Sequence, residues 1–262
     1  VGKNKSLNDL KKNHDAVLIA TGVYKPREIE IPGSNLENIF SAMNFLTASN
    51  RKGLGDKVEL FDNGTLNAQN KDVVVIGGGD TAMDCVRTAT RQKAKSVKCL
   101  YRRDRENMPG SAREVANAIE EGVEFIWLSS PKQFIGNKHI REVQVNKMIL
   151  GSADSSGRRK PEIKENSEFN IKADIVIKSL GFDPENLPEL FSAKELSVSS
   201  WGTIKIDLNT MQTNIDGIFA AGDIVRGASL VVWAIKDGRD AALQIQKYLE
   251  KKEIQKTKVK AA

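Results

Sequence analysis

Cysteine is nearly missing from this chain. Cys85 and Cys99 are the only two among 262 residues, and neither belongs to a C-x-x-C pair. A disulfide framework, a thiolate zinc site and an iron–sulfur cluster are therefore not expected within the chain. Thiols this sparse suit a reducing compartment, so a cytoplasmic location is expected. Long apolar runs are missing too, so no segment reads as a bilayer span, and no secretory signal opens the sequence. A membrane partner is not expected. The first residue is Val1 rather than Met, only a few residues before an apolar run, so the chain reads as a piece of a longer protein.

Charge is abundant and slightly one-sided, with 40 basic against 34 acidic side chains and a net charge of +6. The excess suits an anionic cofactor or partner. Part of it sits in Lys251, Lys252, Lys256, Lys258 and Lys260, which read as a solvated tail, so nucleic acid is not expected as a partner. Hydrophobic residues make up 40% and charged residues 28%, enough for a sizeable core and against wholesale disorder. The length suits one large or two medium α/β domains.

Apolar periodicity gives the order of elements. The run at 14–22, H-D-A-V-L-I-A-T-G, has the pattern of a strand buried on both faces. A linker punctuated by Pro26, Pro32 and Gly33 leads to a short helix expected over 39–49. Strand 71–76, helix 80–92 and strand 96–103 then make a β-α-β unit, which implies a parallel sheet with right-handed crossovers. Ser111-Ala112-Arg113-Glu114 reads as a capping box for a helix ending near Glu121, with Gly122 as its stop. Residues 124–150 read as two or three strands around a turn at Gly136-Asn137. Residues 151–168 read as a loop, and 173–181 as a further buried strand. Short strands are expected at 203–207 and 217–222, and an amphipathic helix over 229–251. The fold class is α/β: a Rossmann-like domain with a parallel sheet and a small antiparallel sheet.

The strongest local signal is V-V-V-I-G-G-G-D-T-A-M-D at 73–84. It carries G-x-G-x-x-A at Gly77, Gly79 and Ala82, between a strand and a helix as a dinucleotide site requires. Gly77 permits the tight turn, Gly79 lets the backbone approach a pyrophosphate, and Ala82 lets the helix pack on the sheet. Gly78, Gly79, Asp80, Thr81 and Ala82 carry the amides that open the helix, where its dipole favours phosphate. Asp80 is ambiguous there: it either takes part in the cofactor site or simply complements the helix N-terminus. Gly53-Leu54-Gly55 nearly repeats the spacing, but no apolar strand precedes it, and it reads as a loop.

The next strand ends in Tyr101-Arg102-Arg103. An NAD site would place Asp or Glu here for the ribose 2′-hydroxyl. Two guanidiniums instead suit a 2′-phosphate, gripped by charge-assisted bonds, which points to NADPH. A solvated basic turn is the bland alternative, since Asp104, Arg105 and Glu106 follow. Near the C-terminus, Gly222-Asp223 ends a short apolar strand. Its carboxylate can accept a hydrogen bond from a sugar-like hydroxyl, or the pair can be a structural turn.

The order of Ala20-Thr21-Gly22, the Gly77–Ala82 turn and Gly222-Asp223 resembles that of the two-dinucleotide-binding flavoprotein reductases. In that family the NADPH domain is inserted in the FAD domain. Residues 101–115 (Y-R-R-D-R-E-N-M-P-G-S-A-R-E-V) and 222–242 (G-D-I-V-R-G-A-S-L-V-V-W-A-I-K-D-G-R-D-A-A) are similar to the small-subunit family of bacterial NADPH-dependent glutamate synthases. The resemblance covers nearly the whole chain. It implies a partial FAD domain and linker at 1–38, an NADPH domain at 39–178, and the later FAD domain with a tail at 179–262. It also implies that Gly222 and Asp223 hold the FAD ribityl chain. Ser229, Leu230 and Val231 would lie beside the flavin ring, and Gly181 would contact the pyridine nucleotide. The Leu230–Val232 run and Trp233 can equally be plain core. The family's Cys-rich segment for iron–sulfur clusters and its first G-x-G-x-x-G do not occur in this sequence, so clusters are expected only in a preceding segment, and FAD retention by this stretch alone is not expected. The implied activity passes hydride from NADPH to FAD and electrons through clusters to a glutamate synthase large subunit. That subunit makes glutamate from glutamine and 2-oxoglutarate. A pyrimidine reductase or ferredoxin-linked transhydrogenase subunit shares the architecture, and an NADPH-binding module without turnover is a third reading. No catalytic side chain is expected, because positioning nicotinamide against flavin does the work.

Overall fold

The structure, a computed structural model, describes residues 2–153 and 159–260. It divides into two compact units, Pro26–Gly181 and the pair of segments Val1–Lys25 and Phe182–Ala262.

In the first unit, five parallel strands lie in the order Ile39–Ser41, Ile175–Lys178, Asp72–Ile76, Ser96–Leu100 and Glu124–Ile126. Asp72–Ile76 is central and wholly buried, which explains its unbroken apolar run Val73–Ile76. Chain order reverses beside it: the strands that follow in sequence lie to one side, and Ile175–Lys178 lies on the other. That is the switch point where open α/β sheets bind ligands. Helices Ala42–Gly53, Asp80–Arg91 and Ala112–Glu120 cover one face through Phe45, Met83, Val86, Val115 and Ala118. The other face packs on an antiparallel sheet through Val74, Ile76, Leu100, Phe134, Val143 and Val145. That sheet pairs Ser129–Gly136 and Phe169–Lys172 with Ile140–Ala153, and Arg159–Ile163 pairs with the distal part of the same long strand.

In the second unit, Val17–Ile19 pairs in parallel with Ile218–Ala220. A core of Leu7, Ile19, Leu187, Phe191, Ile204, Ile218 and Ile224 lies on one side, and Phe219, Met211 and Ala241 form a second cluster.

Several expectations need correction. Residues 39–41 are a strand, not the start of a helix; they pair with Val176–Lys178, and the helix opens only after the Ser41 cap, whose hydroxyl accepts from the Asn44 amide. The capping box at Ser111 does not form, because Glu114 is taken by Arg87 and the Ser111 hydroxyl makes no cap bond. The expected loop at 151–168 contains the strand Arg159–Ile163; residues 154–158 lie outside the described part. Residues 203–207 make only an isolated bridge, Ile204 to Val198, since the stretch turns back on itself between Ser199 and Thr203. The run at 14–22 yields only the three-residue strand Val17–Ile19, in which Ile19 is buried but Leu18 is exposed. The last helix starts at Val231 rather than Ser229 and continues to Lys260. Lys252 is not simply solvated: its Nζ lies 3.1 Å from Asp15 Oδ1. The side chains of Lys256, Lys258 and Lys260 lie outside the described part. No helix among the described residues is long and apolar enough to cross a membrane.

Candidate functional site: a glycine turn at the sheet's switch point

Register places Lys178, Ile76, Leu100 and Ile126 side by side, so their strands end at one edge of the sheet. The residues that follow them, Ser179–Gly181, Gly77–Gly79 and Tyr101–Arg103, are therefore neighbours although they are distant in sequence. The β-α-β pattern of the sequence is enough to place Gly77–Gly79 beside Tyr101–Arg103, and the sheet brings in Ser179–Gly181.

Each glycine of the turn has its own reason. Gly77 has φ +146°, and a Cβ there would lie 2.1 Å from the Ser179 carbonyl oxygen. Only glycine lets the two strand ends approach this closely. At Gly78 a Cβ would meet the Tyr101 ring at 2.4 Å. Gly79 is different: its φ of −91° suits any residue, and a Cβ would meet nothing within 4 Å. Its glycine is not required by the protein around it, and the open space beside it is room for a ligand. Gly79 caps the helix without a side-chain bond, and among the described residues no protein acceptor takes the amides of Gly79, Asp80 or Thr81. These free donors at a helix N-terminus fit a diphosphate. Ala82 is fully buried, as close helix–sheet packing requires. The buried Ser179 hydroxyl, beside Gly77, has no hydrogen-bond partner among the described residues.

The segment after the next strand runs back over this turn. The Tyr101 hydroxyl donates to the Asn107 carbonyl (3.0 Å), Gly110 N–H to the Gly78 carbonyl (2.9 Å), and Ser111 N–H to Asp80 Oδ1 (2.8 Å). Arg102 is exposed and Arg103 half-buried at the start of this segment. Arg103 is fixed at two points: its carbonyl accepts from Leu128 N–H, and its Nε donates to the Arg159 carbonyl at 3.2 Å. Its remaining guanidinium nitrogens stay available for an anion. Gly181, at φ +89°, accepts from Arg27 N–H through its carbonyl. Cys99 lies below the turn with its thiol pushed up to about 12 by burial, and burial pushes Cys85 higher still, so neither is a reactive thiolate.

In the other unit, Gly222 takes φ +76°, ψ −152°, a conformation reserved for glycine, and turns the chain from Ile218–Ala220 into the short helix Asp223–Arg226. Asp223 Oδ1 accepts from the Ser229 hydroxyl at 2.7 Å, which leaves its second oxygen for another donor. Arg226 grips the buried Asp237 through both nitrogens, at 2.5 and 2.6 Å, and lies 5.0 Å above the Trp233 ring. Those bonds hold the Asp237 carboxyl below the usual carboxylate range. Leu230, Val231, Val232 and Trp233 are not core: they are 60%, 72%, 59% and 45% exposed.

The sequence model for pyridine nucleotide-disulphide oxidoreductases matches residues 2–238. The chain belongs to this family. Within it, the chain is 60% identical over 252 residues to the glutamate synthase [NADPH] small chain of Azospirillum brasilense, covering 96% of this chain and 52% of that one. It is 43% identical over 255 residues to the glutamate synthase [NADPH] small chain of Escherichia coli (95% and 54%). The chain thus spans about half the length of these relatives. Among solved structures, thioredoxin reductase of Lactococcus lactis matches with a TM-score of 0.67 at 25% identity, covering 90% of this chain and 66% of that one. Mycobacterium tuberculosis FprA in complex with NADPH matches at 0.76 and 19% identity (97% and 68%), a likeness of fold. The resemblance seen in residues 101–115 and 222–242 is therefore borne out across the chain, and so is the α/β fold class.

Three residues escaped sequence reasoning in this family member. Tyr101 abuts Gly78, Ser179 lies against Gly77, and Arg226 clamps Asp237. Tyr101 and Ser179 stood within the expected strands 96–103 and 173–181 without a stated contact to the turn, and Arg226 stood in a quoted motif without a stated partner.

Proposed function

We propose that the protein is an NADPH-dependent flavoprotein oxidoreductase and serves as the electron-input small chain of a glutamate synthase. Unit Pro26–Gly181 is the NADPH-binding part. Gly77, Gly78, Gly79, Asp80, Thr81 and Ala82 form its phosphate turn, Arg102 and Arg103 take the 2′-phosphate, and Gly181 lines the nucleotide site. Gly222, Asp223, Ser229, Leu230 and Val231 serve FAD in the other unit. The open space and unpaired amides at Gly79, one strand away from two arginines, carry this reading. The names of the relatives support its extension to glutamate synthase and a large-subunit partner, and the two buried free thiols suit a cytoplasmic setting.

The residues act by binding and placement. Free amides at the turn neutralise the diphosphate, and Arg103, anchored at both ends, presents its guanidinium without further ordering cost. Asp223 keeps one carboxylate oxygen for a ribityl hydroxyl while Ser229 orients the other. When bound, the two cofactors supply the redox chemistry, hydride donation by nicotinamide and acceptance by flavin.

Titration of NADPH and NADH against wild type and the Arg102→Ala/Arg103→Ala double variant tests the reading. Hydrogen bonds to a charged group are worth about 1.5–3 kcal/mol. The double variant should therefore lose NADPH affinity at least about tenfold and leave NADH affinity unchanged. Equal losses for both nucleotides would contradict the assignment.

A further inference from the structure

The G-x-G-x-x-A pattern leaves the residue after its second glycine free, and here that residue is an aspartate, a charge of the wrong sign for a phosphate site. Its geometry supplies a reason. Asp80 is exposed and opens the helix Asp80–Arg91, but its carboxylate turns to the segment lying across the turn and accepts the Ser111 N–H at 2.8 Å. That segment is also held by Gly110 N–H on the Gly78 carbonyl, by the Tyr101 hydroxyl on the Asn107 carbonyl, by the two Arg103 bonds to Leu128 and Arg159, and internally by Asp104 Oδ1, which accepts from both Asn107 nitrogens at 2.9 and 2.6 Å. Arg102 and Arg103 lie at the start of the same segment. Among the described residues Asp80 is the only side chain of 77–82 that bonds to it.

We propose that Asp80 is a positioning residue: it latches residues 102–111 over the glycine turn and so sets where Arg102 meets the nucleotide, Arg103 being anchored separately on Leu128 and Arg159. The carboxylate does not serve as a ligand. Its charge opposes the bound diphosphate, while the latch needs an acceptor oxygen, which an amide also supplies, though more weakly. Two substitutions separate these contributions. Asp80→Asn keeps an oxygen acceptor at the same reach and removes the charge. Asp80→Ala removes both. The effect on NADPH rests on the nucleotide site proposed above; the latch itself does not.

The experiment is amide hydrogen exchange on the full chain without nucleotide, followed by NADPH titration. In Asp80→Ala the amides of Gly110 and Ser111 should exchange at least about tenfold faster, while the buried strand Asp72–Ile76 keeps its protection as the internal reference for an intact fold. Asp80→Asn should exchange at a rate between wild type and Asp80→Ala. NADPH affinity should fall about tenfold in Asp80→Ala and rise about two- to fivefold in Asp80→Asn, the scale of a single charge near a helix end. Ser111→Pro deletes the donor from the other side of the same bond. It should free Gly110 as Asp80→Ala does, which keeps the test decisive if the alanine variant folds poorly.

Unchanged exchange at Gly110 in both Asp80→Ala and Ser111→Pro, with unchanged exchange at Ser111 in Asp80→Ala, would overturn the latch. Weaker NADPH binding in Asp80→Asn than in wild type would overturn the claim that binding needs the acceptor oxygen and not the charge, and would make Asp80 a ligand or a helix-end charge instead. If wild type bound no NADPH, the nucleotide reading would fall with the affinity claim, and the exchange result alone would still decide the latch.

Discussion

The Gly79→Ala substitution separates nucleotide binding from folding more cleanly than any other change in the turn. The backbone at Gly79, φ −91° and ψ 177°, is ordinary extended chain, so alanine brings no dihedral strain. Its methyl would meet no protein atom within 4 Å. What remains is the poorer N-cap, since alanine ranks below glycine there, a cost of about 0.5–1 kcal/mol in stability. The ligand feels something larger. A methyl in the space where diphosphate oxygens meet the amides of Gly79, Asp80 and Thr81 displaces at least one charge-assisted hydrogen bond, about 1.5–3 kcal/mol. That is a ten- to hundredfold loss of NADPH affinity, to order of magnitude. Nucleotide fluorescence titration gives the affinity, and urea unfolding of the same samples gives the stability. Wild-type affinity in Gly79→Ala would mean that the diphosphate does not lie against this glycine. A large stability loss would mean that the open space is not open.

Gly77→Ala should do the reverse. With φ +146° and a Cβ 2.1 Å from the Ser179 carbonyl oxygen, it must push two strand ends apart, at a cost of about 3 kcal/mol or more; unfolding within 1 kcal/mol of wild type, to order of magnitude, would refute that packing. In the other unit, Asp237→Asn should destabilise by about 1–3 kcal/mol, below the usual cost of breaking a buried pair because Arg226 is part-exposed and can be hydrated. The Asp237 carboxyl is held low by Arg226, so its contribution is present above the unfolded value near 3.9 and is lost as pH falls through the folded value. Unfolding should therefore show a wild-type to Asp237→Asn gap at pH 7 that narrows steadily once pH falls below the unfolded value, and a gap that stays constant through the acid range would contradict the pairing.

How far the sequence spoke depended on the range of the interactions involved. Val73–Gly79 was legible because a strand buried on both faces, a glycine turn and a helix are all written locally. Ala82 was legible for the same reason. The Ser111 capping box failed because Glu114 had a stronger distant partner in Arg87, and sequence spacing says nothing about a second helix. Residues 39–41 read as helix because three apolar or half-buried positions fit either period, and only pairing with Ile175–Lys178 decides the matter. Arg159–Ile163 was invisible because its burial pattern is mostly exposed, and its strand form comes from the long partner strand. At the site, glycines and arginines were found by type and spacing. What each glycine avoids was not: Gly77 answers to Ser179, Gly78 to Tyr101, and Gly79 to no protein atom. That last difference gives the site its strongest support, and it appears only in three dimensions.

The most direct test of the account is a crystal structure of the chain grown with NADP+. The account predicts diphosphate oxygens on the amides of Gly79, Asp80 and Thr81, and the 2′-phosphate within hydrogen-bond reach of Arg102 and Arg103. Nucleotide bound away from the Gly77–Ala82 turn, or a 2′-phosphate in solvent with both arginines turned away, would contradict it.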